Sequence, residues 1–294
     1  MRFTFTDEQL AFRDAVRDLL EKECSPTAVR VAWTNDTGRV EGLWLKLGEI
    51  GLFDDGVEPT DAILAIEETG RACAPEPVIE AFATGRSDAT LALAHTPHAL
   101  YADQVPEIVV EADGRLVAGS VGGPVESVDK SRRLFSVNPG PDPTDLEHTD
   151  VTDRAALAAA AQLCGLADAM LELTVPYAAE RKQFGVPIGS FQAVKHHLAD
   201  AALALEFARP LVYRAAWELE HSTDEQSVAV SLAKAAASDA GVIASRKALQ
   251  VHGAIGYAHE YDLHLWMKRA WALAAAWGDS AWHRNRIATI IGVI

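Results

Sequence analysis

Pro176-Tyr177-Ala178-Ala179-Glu180-Arg181-Lys182-Gln183-Phe184-Gly185-Val186-Pro187-Ile188-Gly189-Ser190-Phe191-Gln192-Ala193-Val194 is the stretch that decides the fold. It reads as two helices joined by a basic, glycine-containing turn, with Ser190 placed to cap the second helix. A guanidinium at Arg181 suits phosphate oxygens, and the start of the following helix offers partly positive backbone donors. Phe184 can cover an apolar part of the same ligand, and Gln192 can supply an amide hydrogen bond. The plainer alternative pairs Arg181 with Glu180 or Asp168 and packs Phe184 as turn core.

Working outward, the spacing of Ala and Leu predicts long helices over Asp153 to Pro176, Phe191 to Leu219, Gln226 to His252 and Asp262 to Ile291. Four long helices with short connections imply an antiparallel bundle. Their small apolar faces favour close packing and a large subunit interface; a tightly packed monomeric core is the alternative. Between the third and fourth helices runs Leu249-Gln250-Val251-His252-Gly253-Ala254-Ile255-Gly256-Tyr257-Ala258-His259-Glu260-Tyr261. Its small residues permit close backbone approach by an anionic or carbonyl-bearing ligand. An ordinary glycine-shaped helix connector reads the same way.

Toward the N-terminus, Thr6 or Asp7 can cap a helix carrying Leu10, Phe12, Val16, Leu19 and Leu20, which Ser25-Pro26 breaks. Further helices are predicted at Glu41 to Gly48, with an exit at Gly51 and Asp54-Asp55-Gly56, at Pro59 to Gly70, and at Val78 to Thr84. From about Ala89 the pattern changes to short strands: Thr90 to Leu93, Glu107 to Val110, Arg115 to Ala118, Val125 to Val128 and Arg133 to Val137, with Asp113-Gly114 as a hairpin turn. Pro139, Pro141 and Pro143 read as a linker. The expected fold is mainly α with a small β region: an N-terminal helical domain (1–88), a reduced β domain and linker (89–150), and a C-terminal four-helix bundle (151–294).

Composition narrows the function. The 294 residues are 49% hydrophobic and 23% charged, a folded rather than disordered balance. With 42 acidic against 26 basic residues and a formal charge of −16, nucleic acid and anionic membranes are poor partners. The Ala-rich stretches are interrupted by Asp, Arg, Gln and Lys, so no membrane span is expected. Cys24, Cys73 and Cys164 form neither a disulfide framework nor a metal site, which suits a reducing cytoplasm. The polar start, Met1 to Glu8, does not read as a secretory signal.

The two quoted stretches resemble the C-terminal helical domain of acyl-CoA dehydrogenases. The resemblance covers Thr152 to Ile294 strongly; Gly48-Glu49-Ile50-Gly51-Leu52 and Ile66-Glu67-Glu68-Thr69-Gly70-Arg71 match more loosely. It implies that both stretches reach into an FAD site shared with a neighbouring subunit. Arg181, Phe184 and Gln192 would touch the pyrophosphate and adenosine portion, and Gln250, His252, Gly253 and Ala254 would approach from the other side. Family members often carry a second glycine where Ala254 stands.

The departures from the pattern concern the chemistry. The family needs a carboxylate to remove the proton alpha to the thioester while the beta hydrogen leaves as hydride to flavin. Its usual place falls, in Ala275-Ala276-Trp277-Gly278-Asp279, on Trp277, which accepts no such proton. Asp279 is shorter and displaced. The other place the family uses falls on Ala155. Neither the acidic substrate-and-flavin loop nor the Trp-Ile-Thr-like strand is found in the Gly114 to Gly140 region. No catalytic residue is therefore assigned to this chain.

The resemblance then implies the smaller, non-catalytic subunit of a heteromeric dehydrogenase of the steroid side-chain type. Its partner would bring the glutamate, the flavin cradle and most of the acyl-CoA pocket, in an α2β2 heterotetramer, with an electron-transfer flavoprotein as acceptor. Two other readings stay open: a dehydratase-like non-redox enzyme using His252, His259, Asp279 or Glu260, and a purely structural subunit.

Overall fold

A computed structural model describes residues 4–54 and 57–293. Asp55 and Gly56 of the expected turn lie outside the described residues, as do the first three residues and Ile294. Helix α1 (Asp7–Glu23) opens with a capping box: Thr6 Oγ1 accepts from the Gln9 amide, and the Gln9 side chain accepts from the Thr6 amide. Ser25-Pro26 does more than break it. Ser25 caps a further helix, α2 (Pro26–Ala32), with Pro26 in the first turn where its missing N–H costs nothing. Helices α3 (Leu43–Glu49), α4 (Pro59–Arg71) and α5 (Val78–Thr84) follow the predicted pattern.

The middle of the chain forms one five-stranded sheet in the order β1-β3-β4-β5-β2. The strands are β1 (Ala89–Ala92), β2 (Ala99–Leu100), β3 (Glu107–Ala112), β4 (Arg115–Val125) and β5 (Leu134–Pro143). β1 runs parallel to β3, and the other pairings are antiparallel. Asp113 and Gly114, at φ 51° and 73°, make the predicted β3–β4 turn.

Two expectations need correction here. Of Val125 to Val128 only Val125 is in a strand, and the proline run is no linker but the second half of β5. β2 pairs only with Leu134 and Phe135, so the rest of that side of β5 is an edge. Prolines 139, 141 and 143 have no N–H to donate and lie along this edge, across the register shift between the Gly119–Pro139 and Val117–Pro143 pairs, where a strand tolerates them.

The bundle contains α6 (His148–Glu180), α7 (Gln192–Glu220), α8 (Gln226–His252), α9 (Leu263–Ala275) and α10 (Ser280–Ile290). α6 starts before the expected Asp153 and continues past Pro176. The expected last helix is two helices: Trp277 and Gly278 take φ 58° and 83°, and Asp279 then caps α10 by accepting from the Trp282 amide at 2.8 Å. Residues Ala155 to Ala161 of α6 have no exposed surface, and glycines bring α6 against α4. A methyl built on Gly165 would meet the Glu67 carbonyl oxygen at 2.0 Å, and one on Gly70 would meet that of Gln162 at 2.2 Å.

One apolar core runs from α1 through α6 to α9, and a smaller one lies under the sheet. The elements are also tied by buried charge. Arg269 of α9 donates to Asp129, to Ser131 Oγ at 2.9 Å and to the Ala74 carbonyl at 2.8 Å, joining bundle, sheet loop and N-terminal helices. Burial opposes ionisation of Asp129, but the Arg269 guanidinium and the Ser131 hydroxyl hold its carboxyl below the usual range. Contrary to expectation, α6 and the run Gln226–Tyr257 are long and apolar enough to cross a membrane by composition; 78% and 61% of their most apolar windows are buried within the protein. Core packing of Ala-rich faces accounts for that hydropathy.

Candidate functional site

The end of α6 and the start of α7 are joined by a miniature hairpin, β6 (Lys182–Gln183) and β7 (Val186–Pro187). Phe184 and Gly185 form its tip at φ 53° and 83°. The tip stands Phe184 out into solvent, 93% exposed, with the ring of Phe191 edge-on at 6.3 Å. The turn-core alternative for Phe184 therefore fails. The Ile188 amide donates to the Arg181 carbonyl at 2.7 Å and closes the base of the hairpin. Arg181 is exposed and makes no ion pair among the described residues; Asp168, its suggested partner, is held by Arg209 at 2.6 Å. Gln192 begins α7, also exposed. Ser190 is not the cap: its hydroxyl donates to the Pro187 carbonyl within a 3₁₀ turn, and Phe191 occupies the cap position.

The second stretch lies against the first. Gln250 is exposed on the last turn of α8, and Gly253 adopts φ 66°, ψ −146°, a conformation reserved for glycine. A methyl on Gly253 would meet nothing within 4 Å, so its surroundings are open. Ala254 and Ile255 continue as an exposed 3₁₀ turn, Gly253–Tyr257. His252 faces the other way: its ring is buried, stacked on Tyr177 at 4.2 Å and 22°. Tyr177 stands one helical turn before Arg181, so this stack brings the two stretches to one end of the bundle. Nδ1 of His252 lies 2.9 Å from the Ala248 carbonyl and Nε2 3.0 Å from the Tyr261 hydroxyl. A carbonyl only accepts, so Nδ1 carries the proton and Nε2 accepts from Tyr261. Burial pushes the His252 pKa down, with the Ala248 carbonyl working against it.

The place to which the resemblance assigns a base is closed. Trp277 is 1% exposed, and its backbone amide donates to Thr96 Oγ1 at 2.6 Å. Beside it Lys234 of α8, fully buried, donates to the Gly278 carbonyl at 2.8 Å and to Ser238 Oγ at 2.9 Å. Burial pushes the Lys234 ammonium down to about 7, against a weaker pull from Asp279. His283 Nε2 lies 2.9 Å from the Trp277 carbonyl; burial, with Lys234 nearby, holds this imidazole down to about 3. Ala155, in α6, is fully buried. Of the acid and base candidates raised for a non-redox enzyme, Asp279 is occupied as a helix cap and His252 as an internal acceptor, while His259 and Glu260 are exposed on the connector.

One polar cluster was not anticipated. His95, Glu111, His148, Trp282 and Arg286 line a cleft of about 380 Å³. His95 stacks on Trp282 at 4.3 Å, and burial lowers its pKa to about 4. His148 Nε2 approaches Glu111 Oε2 at 3.1 Å, off the line of a good hydrogen bond. These residues come from four separated parts of the chain and carry no local motif. Among the described residues no group of three His, Cys, Asp or Glu side chains can hold a metal ion.

The bundle, the sheet and the paired turns define the class: the chain belongs to the acyl-CoA dehydrogenase family. Residues 150–292 match the acyl-CoA dehydrogenase C-terminal domain and residues 6–87 the N-terminal domain. Among individual proteins, it is 33% identical to acyl-CoA dehydrogenase IpdE2 of Mycolicibacterium smegmatis, over 90% of this chain and 93% of that protein. The Mycobacterium tuberculosis IpdE2 is 34% identical over 90% and 91%. In fold it is similar to a chain of the ChsE4-ChsE5 complex from Mycobacterium tuberculosis, with a TM-score of 0.87 at 20% identity, covering all of both chains. A Tcur3481-Tcur3483 steroid ACAD variant gives 0.85 at 21% identity, covering 98% of each.

Proposed function

We propose that this chain is the non-catalytic subunit of a heteromeric, FAD-dependent acyl-CoA dehydrogenase, completing the distal half of a flavin site whose reactive half belongs to its partner. One observation carries the reading: Arg181, Phe184, Gln192, Gln250, Gly253 and Ala254 stand exposed at one end of the bundle, Arg181 with no ion pair among the described residues, while Trp277 fills the place where the resemblance puts the base. FAD, when bound, accepts the beta hydrogen of the acyl thioester as hydride. This chain's part is binding and positioning. Arg181, whose guanidinium no carboxylate among the described residues neutralises, would meet a pyrophosphate charge, and Phe184 would cover the adenosine. Gln192 and Gln250 offer amides, and Gly253 and Ala254 bring bare backbone close. His252 serves from behind, through the stack that holds the turn.

The residues fit the distal end of the cofactor and not its reactive ring. Trp277 and Ala155 leave no carboxylate at the two places where the resemblance would put the base, so the partner supplies the glutamate and binds most of the acyl-CoA. The product is a 2,3-unsaturated acyl-CoA. A bulky acyl group of the steroid type, an α2β2 arrangement, an electron-transfer flavoprotein as acceptor and a cytoplasmic setting complete the proposal. Support comes from the pairing in the ChsE4-ChsE5 complex and from the steroid activity of the other structural relative. Co-expression with the product of the neighbouring gene, followed by flavin absorbance and dehydrogenation assays, tests it. Activity requires both chains; stoichiometric FAD and turnover by this chain alone contradict the division of labour.

A further inference from the structure

The turn after α8 is mostly exposed. Gly253, Ala254, Ile255, Tyr257, His259 and Glu260 are exposed, and no side-chain cap holds the 3₁₀ segment. Inside the bundle it is held at Gly256, packed on Leu249 and Leu263, and through Tyr261 on His252; a further grip comes from the short helix α2. Arg30 of α2 donates through Nε and Nη2 to Asp262 Oδ1, at 3.0 and 2.7 Å, and through Nη1 to the His259 carbonyl. One guanidinium thus grips both the backbone of the connector and the residue that begins α9. A few residues on, Trp33 meets His264 edge-on at 5.1 Å, and Lys268 lies between the rings of Trp33 at 4.9 Å and Tyr257 at 5.8 Å. At the other end of the turn the Tyr261 hydroxyl donates to His252.

We infer that Arg30 is a positioning residue for the cofactor: it pre-orders residues 253–262 so that the Gly253 and Ala254 backbone meets the flavin nucleotide without further ordering. The inference rests on the shared-flavin reading above and adds to it a residue from the opposite end of the chain. The geometry favours positioning over bulk stability. Arg30 and Asp262 are only partly buried, at 22% and 39% exposure, so water replaces their hydrogen bonds when the pair is broken. What is lost is the fixed geometry of two acceptors three residues apart. A loop that must be ordered on binding weakens affinity without removing a contact. Lysine, a point charge on a flexible stem, cannot reproduce the fork that spans both acceptors.

The test uses the complex with the catalytic partner, FAD as probe, and three readouts: FAD dissociation, hydrogen exchange across 253–262, and the melting temperature of the flavin-free complex. Arg30→Ala is expected to speed exchange in 253–262 with α8 unchanged, and to weaken FAD by about tenfold, with little change in melting. Arg30→Lys recovers only part of the affinity. Should Arg30→Ala fail to fold, Asp262→Asn loosens the same grip while keeping its shape, and the same three changes are expected. Unchanged exchange, or faster exchange with unchanged FAD affinity, overturns the inference. Arg181→Ala separates this from the underlying reading. If Arg181→Ala weakens FAD and Arg30→Ala does not, the positioning role fails and the shared site stands. If neither moves FAD, this chain does not contact the cofactor and both fall.

Discussion

Two regions of the bundle, both built where a helix ends in a positive-φ turn, have opposite fates. At 253 the turn is open: glycine in a glycine-only conformation, exposed neighbours, nothing within 4 Å of its missing side chain. At 277 and 278 the turn is shut: an indole fills the space, a buried lysine grips the carbonyl of Gly278, and a methyl on that glycine would strike Trp282 at 2.5 Å. One turn is left open to solvent and the other is packed into the core. Substitutions at the two should therefore act on different properties.

The largest effect is expected at the shut turn. Trp277→Ala empties a buried indole site and should destabilise the chain by about 3–5 kcal/mol in denaturant unfolding. FAD retention by the complex that still folds should stay near wild type; a selective loss of FAD at full stability would break the comparison. At the open end, Arg181→Ala should reverse the pattern. A charged hydrogen bond of about 1.5–3 kcal/mol predicts FAD binding weakened roughly ten- to hundredfold in the complex, with stability changed by less than about 0.5 kcal/mol.

A smaller effect separates the turns by pH. Lys234 has its folded pKa depressed to about 7 from 10.5, so the unfolded chain binds the extra proton between those values and stability rises with pH across that window. Lys234→Met should flatten that slope in urea melts taken at several pH values, whereas Arg181→Ala should leave it intact. His283 and His95, held down to about 3 and 4 from 6.5, work on the acid side. Their stability is complete above 6.5 and is lost as pH falls below it, because the unfolded imidazoles protonate first. The smallest change is predicted for Trp277→Glu: no dehydrogenation by this chain alone, because one carboxylate beside the Lys234 ammonium becomes its ion-pair partner rather than a base with raised proton affinity. Measurable turnover by that variant would show that the seat had only lost its carboxylate.

The bundle and the hairpin were legible because periodicity and turn chemistry are local. Asp113-Gly114 sets its own backbone, and the Ala- and Leu-rich run of α6 needs no partner to be read as helix. The split between α9 and α10 was not, since Trp277 adopts φ 58° in a turn whose backbone bonds to Thr96, Lys234 and His283, partners distant in sequence or beyond the turn. The strand role of Pro139, Pro141 and Pro143 depended on β2 being too short to pair with that edge. Within the site, the exposure of Phe184 and the freedom of Arg181 followed from a hairpin whose apolar tip finds no cover in its own chain. The inward turn of His252 was hidden because its partners, Tyr177 and Tyr261, are fixed by tertiary packing, and Arg30 lies 232 residues from the carboxylate it grips.

The central claim, half a flavin site on this chain, is tested most directly by titrating FAD against this chain alone, its partner alone and the two together, following flavin absorbance and the fraction retained after gel filtration. Tight, stoichiometric binding is predicted only for the pair and is weakened when this chain carries Arg181→Ala. Tight, stoichiometric binding to this chain alone, or binding by the pair that is indifferent to Arg181→Ala, contradicts it.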